Sequence, residues 1–275
     1  MPRPQYIDRY RIVRRLGGSG ECRVFEAATP EGTAVALKLL LPADPPRADA
    51  AEVLARFRRE AEVVQRLSHP GIVRLLDCGT DAGRAWLVLE LVRGPVLSSV
   101  MRGLPLAAAL ACIDAILDAL AHLHEHGVVH RDLKPANIVL DARRGPVLCD
   151  FGLAHVDDSL LTQRGDLLGT PVYMAPECFR GEAVDARSDL FSVAVMAYEL
   201  LAGQSPFAGN NSGEIMLAVV QDEPLPASHW NAELPAAVDE VLACGLAKPR
   251  HLRFASAGAF AVRLRQAMRT VASAG

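Results

Sequence analysis

Apolar positions in the first third of the chain fall largely on alternate residues, the period of a half-buried strand. Tyr10 to Val13 runs into Leu16, Gly17-Gly18-Ser19-Gly20 breaks the run, and Val24-Phe25-Glu26-Ala27 resumes it. That order predicts strand, glycine turn, strand. Val35-Ala36-Leu37-Lys38 predicts a third strand, and Ile72–Leu76 and Trp86–Leu89 two more that close a small antiparallel sheet. Between them Pro42, Pro45 and Pro46 precede a helical pattern over 50–67, in which Val53, Leu54, Phe57, Ala61, Val64 and Leu67 recur at spacings of three and four. Ser68-His69-Pro70-Gly71 ends it. Beyond residue 100 the period is helical: Leu106, Leu110, Ile113, Leu117, Leu120 and His124 share one face of a helix over 105–126. Ile138-Val139-Leu140 and Pro146-Val147-Leu148-Cys149 predict a short hairpin. An apolar helix then runs from the Asp185-Ala186-Arg187-Ser188-Asp189 start to Leu201, where Gly203 and Pro206 stop it.

Composition narrows the class. At 275 residues and 51% hydrophobic, the chain can form one large domain or two lobes around a sizeable core. A net charge of −3, with arginines scattered, carries no footprint for nucleic acid or an anionic membrane surface. No apolar run reaches 18 residues without charge or proline, and Met1-Pro2-Arg3-Pro4-Gln5 is unlike a signal peptide. The six cysteines, Cys22, Cys78, Cys112, Cys149, Cys178 and Cys244, contain no C-x-x-C pair, so reduced thiols in a cytoplasmic protein are expected. His122, His124 and His126 alternate along a helix and do not face one another, which argues against a metal site.

The candidate chemistry lies in the loop His130-Arg131-Asp132-Leu133-Lys134-Pro135-Ala136-Asn137, which puts a carboxylate, an ammonium and an amide between two apolar segments. Such a loop suits phosphates and metal. Thirteen residues after Asn137 comes Asp150-Phe151-Gly152, and the predicted hairpin brings Asn137 and Asp150 near each other. Either triplet alone is weak; together, in order and at this separation, they are strong.

The loop resembles the catalytic loop of the eukaryotic-like serine/threonine protein kinases, H-R-D-x-x-x-x-N, and Asp150-Phe151-Gly152 resembles that family's magnesium triplet. Further matches extend over roughly residues 7–270. Gly169-Thr170-Pro171-Val172-Tyr173-Met174-Ala175-Pro176-Glu177 resembles G-T-x-x-Y-M-A-P-E, and the Ser188-Asp189 helix resembles the family's S-D-x-x-S helix, with Ala194 at a position where glycine is usual. Arg253 stands where the family's arginine pairs with the glutamate of that string, here Glu177, and Arg250 is an alternative. The resemblance implies an α+β, bilobal protein-kinase fold: an N-lobe of antiparallel sheet and one main helix over about 1–89, a hinge over about 90–94, and a mainly α-helical C-lobe over about 95–275, with nucleotide between the lobes. It implies ATP and Mg2+ as cofactors, with Mn2+ an alternative, and unidentified protein substrates.

Residue by residue, the resemblance makes Asp132 the group that accepts or orients the substrate hydroxyl proton, and Lys134 the cation meeting the γ-phosphate. Lys38, oriented by Glu60, would hold the α and β phosphates, and Asn137 and Asp150 the metal. Leu16, Gly17, Gly18, Ser19, Gly20, Val24 and Ala36 would line the nucleotide. The backbone of Glu90 and Val92 would bind adenine, with Leu89 as gatekeeper. Against L-G-x-G-x-x-G-x-V the second and third glycines are replaced by Ser19 and Cys22, where glycine lets backbone N–H groups approach phosphate. Arg131 would pair with a phosphate on the activation segment, Ser159 and Thr162 being the candidate acceptors, while Thr170 is a structural hydroxyl near Asp132. Lys134 and Thr170 match the serine/threonine branch; Ala136 replaces a glutamate that binds substrate arginine in some relatives. The altered glycine loop keeps a pseudokinase scaffold open as an alternative. A small-molecule phosphotransferase would lack the Ala-Pro-Glu string and the Ser-Asp helix.

Overall fold

The computed structural model describes residues 5–18, 22–41, 61, 64–81, 84–150 and 171–269. Glu60, Ser19, Gly20, Phe151, Gly152, Ser159, Thr162 and Thr170 lie outside these residues, as does most of the helix predicted over 50–67. Of that helix, Ala61 and Val64 are helical and, with Leu67, buried. The described residues divide into two compact units, one up to Arg93 and the other from Gly94.

The first unit is an antiparallel sheet of six strands in the order β1-β2-β3-β4-β6-β5: β1 Tyr6–Ile7, β2 Tyr10–Gly17, β3 Cys22–Ala28, β4 Ala34–Leu40, β5 Leu75–Asp81 and β6 Arg84–Glu90. Register decides what each face holds. On one face Ala27, Val35, Leu37, Leu39, Trp86 and Val88 pack with Ile7 and Tyr10 into the core of this unit. The pairs Val24↔Lys38, Glu26↔Ala36, Ala36↔Leu89 and Lys38↔Leu87 put the intervening residues on the other face. β5 corrects the strand expected over Ile72–Leu76: Ile72 and Val73 are buried but precede the strand, which runs on through Asp77, Gly79 and Thr80. The strand is specified by its partner. A Cβ at Gly79 would overlap the indole of Trp86, its cross-strand neighbour, so the glycine admits the ring that fills the core.

The second unit is mainly helical, with α1 Leu97–Val100, α2 Leu106–Glu125, α3 Pro176–Phe179, α4 Ala186–Ala202, α5 Ser212–Gln221, α6 Ala236–Gly245 and α7 Ala257–Arg269 among the described residues. Apolar on nearly every side, α4 is buried along almost its whole length and forms the centre of the unit. Its start is fixed by Asp185, whose side chain accepts from the backbone of Arg187 and Ser188, with Ser188 returning a bond in a capping box. Gly203, in the left-handed region at φ 70°, closes it. α2 packs against α4, α7 and the hairpin β7 Ile138–Asp141 with β8 Gly145–Leu148. α2 is long and apolar enough to cross a membrane by length and composition, and its inner face is buried within the unit. Gly94 opens the unit: a side chain there would overlap the carbonyl of Leu140, and Leu140 N–H donates to Pro95 (2.9 Å).

Candidate functional site

The catalytic-loop residues are drawn together by short polar contacts. Lys134 Nζ donates to both Asp132 oxygens, at 2.9 and 2.8 Å. Asn137 Nδ2 donates to the Asp132 carbonyl at 2.8 Å and to its Oδ2 at 2.9 Å. An ammonium and an amide therefore fix the rotamer of one carboxylate, the condition a positioned proton acceptor needs. Pro135-Ala136-Asn137 forms a single 3-10 turn that delivers Asn137 into β7. Both bonds of the Asn137 side chain use its nitrogen, so Oδ1 is left without a partner among the described residues.

Asp150 is set by the hairpin. The register Ile138↔Leu148 places the residues after β8 beside those before β7, and Cys149 N–H donates to the Asn137 carbonyl at 2.8 Å. The Cys149 carbonyl in turn accepts from His130 Nε2 at 3.2 Å, which makes Nε2 the protonated nitrogen of that ring. His130 is wholly buried, and burial pushes its pKa below the ordinary imidazole value, so it serves as a neutral strut. With its predecessor held on both sides, Asp150 takes φ 56°, a left-handed conformation that a non-glycine residue adopts only under constraint.

Arg131, in the same loop region, is another such residue, at φ 67°. Its constraint is Asp189, one turn into α4. Oδ1 of Asp189 accepts the Arg131 N–H at 2.9 Å, while Oδ2 accepts the His130 N–H at 2.8 Å and His124 Nε2 at 2.9 Å. One carboxylate, 1% exposed, thus binds two successive backbone amides of the loop and ties α2 to α4. Asp189, His124 and His130 are positioning residues that the sequence reading gave no site role. A signal was available for Asp189 alone, as an acid in the first turn ahead of a long apolar run. The exposed Arg131 guanidinium is bound by no described residue. Nor do the described residues bring three metal-binding side chains together around His122, His124 and His126; His126 Nδ1 bonds the His122 carbonyl at 2.8 Å instead.

Below this loop the Ala-Pro-Glu string is anchored. Glu177 and Arg253, both buried, form a paired ion bridge with two 2.7 Å contacts, and Ser188 Oγ donates to Glu177 at 2.6 Å. Arg253, not Arg250, is the partner; Arg250 donates to the Ala183 carbonyl at 2.6 Å and lies partly exposed near Asp185. Tyr173 is fixed by its hydroxyl to Glu199 at 2.6 Å and by its carbonyl to Ser192 at 2.7 Å. Burial raises the pKa of both Tyr173 and Glu199.

The remaining expected residues are in the first unit. Lys38 is buried on β4, on the face of the sheet that also carries Val24, Ala36 and Leu89. Gly17 pairs with Val24, and the Arg15 guanidinium donates to the carbonyls of Gly17 (3.1 Å) and Gly18 (2.9 Å). Gly18 takes φ 104°, which only glycine accepts readily, and Leu16 is exposed. Glu90 ends β6, where its N–H and side chain bond the backbone of Arg74. Val92 N–H and C=O make no hydrogen bond with the described residues. Cys78, Cys112, Cys149, Cys178 and Cys244 are free thiols.

Comparison with known proteins agrees with this arrangement. The family model described as a protein kinase domain matches residues 10–260. The serine/threonine-protein kinase PknD of Mycobacterium tuberculosis is 36% identical over 267 residues, covering 95% of this chain and 40% of PknD. PrkC of Bacillus subtilis is 34% identical over 257 residues, covering 90% of this chain and 39% of PrkC. The chain therefore spans about two-fifths of the length of these curated relatives. The crystal structure of the PknI kinase domain of Mycobacterium tuberculosis superposes with TM-score 0.74 at 31% identity, covering 97% of this chain and 98% of that one. Rad53 in complex with AMP-PNP shares the fold, with TM-score 0.74 at 24% identity over 93% of this chain and 65% of that one. With the motif loops folded as above, the chain belongs to the protein kinase family, among the bacterial Hanks-type serine/threonine kinases.

Proposed function

We propose that this chain transfers the γ-phosphoryl group of ATP to serine or threonine hydroxyls of protein substrates, including its own activation segment. The observation that carries the reading is the Asp132 carboxylate held between Lys134 and Asn137. Phosphoryl transfer needs an aligned hydroxyl and preplaced positive charge more than covalent chemistry. Asp132 orients the attacking hydroxyl and takes its proton; Lys134, already at the carboxylate, offers its ammonium to the phosphoryl oxygens. Lys38 binds the α and β phosphates, and the main chain of Glu90 and Val92 binds the adenine edge.

Two oxygen donors fit a magnesium ion, the Oδ1 of Asn137, which has no partner among the described residues, and the carboxylate of Asp150, a hard-ligand set of the size magnesium takes when phosphates complete its shell. When bound, magnesium supplies charge neutralisation at the phosphates. The exposed guanidinium of Arg131 supports activation by a phosphate on Ser159 or Thr162. A cytoplasmic signalling role for the domain is part of this proposal, and its free thiols support a reducing compartment.

The test is incubation with Mg-ATP labelled at the γ position, alone and with a generic protein acceptor, beside Asp132→Asn. Label in the parent and a rate lower by about 10²–10⁴ in the variant are expected. Equal labelling of both removes Asp132 from the mechanism. No label in either, with Mg-ATP still bound, favours the scaffold alternative.

A further inference from the structure

Arginine is scattered over the chain as a whole, but charge is sorted by sign towards its end. Residues 188–247 contain eight acids and neither lysine nor arginine, whereas residues 248–275 contain six lysines and arginines and no acid. A stretch of one sign is ordinarily solvated surface; these two also carry apolar anchors. Among the described residues of the second unit, the exposed large apolar side chains besides Val96 are Leu217, Leu225 and Trp230 in the acidic stretch, and Leu252 and Val262 in the basic one.

The fold gathers each set into a patch. The hydroxyl of buried Tyr198, in α4, donates to the Leu225 carbonyl at 2.8 Å and accepts from Trp230 Nε1 at 3.1 Å. Leucine and indole, each about half exposed, therefore stand on one support. Asp222, Glu223 and Glu233 flank them in the chain, all exposed, and none forms a salt bridge among the described residues. In the basic stretch the Leu252 carbonyl accepts from Cys244 Sγ at 3.4 Å. Burial pushes that thiol up while Arg263 pulls it down, which places Arg263 beside the support of Leu252. Val262 precedes Arg263 on the exposed arc of α7, and Arg269 lies two turns further along that arc. Arg265 is paired with Asp114 at 2.7 Å, but Arg263 and Arg269 have no carboxylate partner among the described residues.

We infer that the two patches are the halves of one self-association contact, in which the acidic patch around Leu225 and Trp230 receives the basic patch around Leu252 and Val262 of a second copy. Exposed tryptophan and leucine within a charged rim have the composition of an interface centre. The occupant is a second copy because this chain presents the complement itself: opposite sign, two apolar anchors, and the same compact unit. Arg263 and Arg269 supply the positive charge that carboxylates need when a partner displaces their water. Since the patches differ, the contact is heterologous, and two apolar anchors on each side place it in the weak, transient class, with a dissociation constant of about 10–100 µM.

Sedimentation velocity of the full chain over a concentration series, in about 0.05 M and about 0.5 M salt, reads this association. Two charge-reversed chains complete the test. Asp222→Arg with Glu223→Arg makes both patches basic, and Arg263→Glu with Arg269→Glu makes both acidic. The parent is expected to associate at low salt and to weaken about tenfold or more at high salt. Each reversed chain alone is expected to stay monomeric, and an equimolar mixture of the two to associate again. A parent that is monomeric throughout overturns the inference, as does association indifferent to salt. So does a mixture that stays monomeric while both reversed chains keep the unfolding midpoint of the parent. The salt series needs no variant and decides the matter if a reversed chain does not fold. None of these readouts depends on phosphoryl transfer, so failure here and failure of the kinase assignment are separable.

Discussion

A single carboxylate sets the shape of the catalytic loop. Asp189 satisfies two backbone amides and one imidazole, and through Arg131 it holds a residue at φ 67° that costs about 1–3 kcal/mol to maintain. Its replacement separates charge from shape. Asp189→Asn keeps one acceptor oxygen but puts an amide donor where a second N–H must be received, so one amide loses its partner. A loss of about 2–4 kcal/mol in unfolding free energy is expected by denaturant titration, together with a fall in kcat larger than any rise in the KM for ATP. Unchanged stability with unchanged kcat would remove Asp189 from the support of the loop. At this scale the sequence was only half legible. Asp132, Lys134, Asn137 and Asp150 announced themselves by type and order. What holds them did not: His130 and His124 act through ring nitrogens whose partners are 19 and 65 residues away, and no local pattern encodes such a pairing.

Elements were legible where they stabilise themselves. α4 has a capping box, an unbroken apolar body and a terminal glycine, and its observed span Ala186–Ala202 follows the expected one closely. β5 was misplaced because Asp77 and Gly79 are of types depleted in strands; pairing with β6 and the ring of Trp86 impose the strand. The short α3 depends on tertiary contacts as well. Four residues cannot sustain a helix, and α3 is held by the Glu177–Arg253 bridge reaching it from the far end of the chain. Burial pushes the Glu177 carboxyl up, but hydrogen bonds from Arg253 and Ser188 outweigh it and leave the pKa below 4.5. The folded value being depressed, the contribution to stability is complete above pH 4.5 and is lost as pH falls through the folded pKa. Arg253→Met is expected to cost about 3–5 kcal/mol near neutral pH, since it strands a buried carboxylate, and Glu177→Leu with Arg253→Met should cost less than the single change. Denaturant unfolding of both variants at pH 7 and pH 4 checks this. A single variant no less stable than the double would show that the bridge is not what fixes α3.

For the whole molecule the governing quantity is ligand linkage. Lys38 belongs to the compact unit ending at Arg93, and Asn137 and Asp150 to the unit beginning at Gly94, so the proposed nucleotide function is tested in each unit by its own variant. A ligand that binds only the folded chain raises its stability by RT ln(1 + [L]/Kd), about 2.7 kcal/mol at a hundredfold excess over Kd. Mg-ATP at that excess is therefore expected to raise the unfolding midpoint by about 5–10 °C for a chain of this size. Lys38→Met should abolish most of the rise by removing the phosphate anchor of the sheet. Asp150→Asn should abolish the part that requires magnesium, so that parent with EDTA and variant without it behave alike. Equal shifts in parent and both variants would place ATP elsewhere. No shift in the parent would mean that Ser19 and Cys22, standing where the family has glycine, have cost the chain its nucleotide, and the constellation around Asp132 would then serve a scaffold.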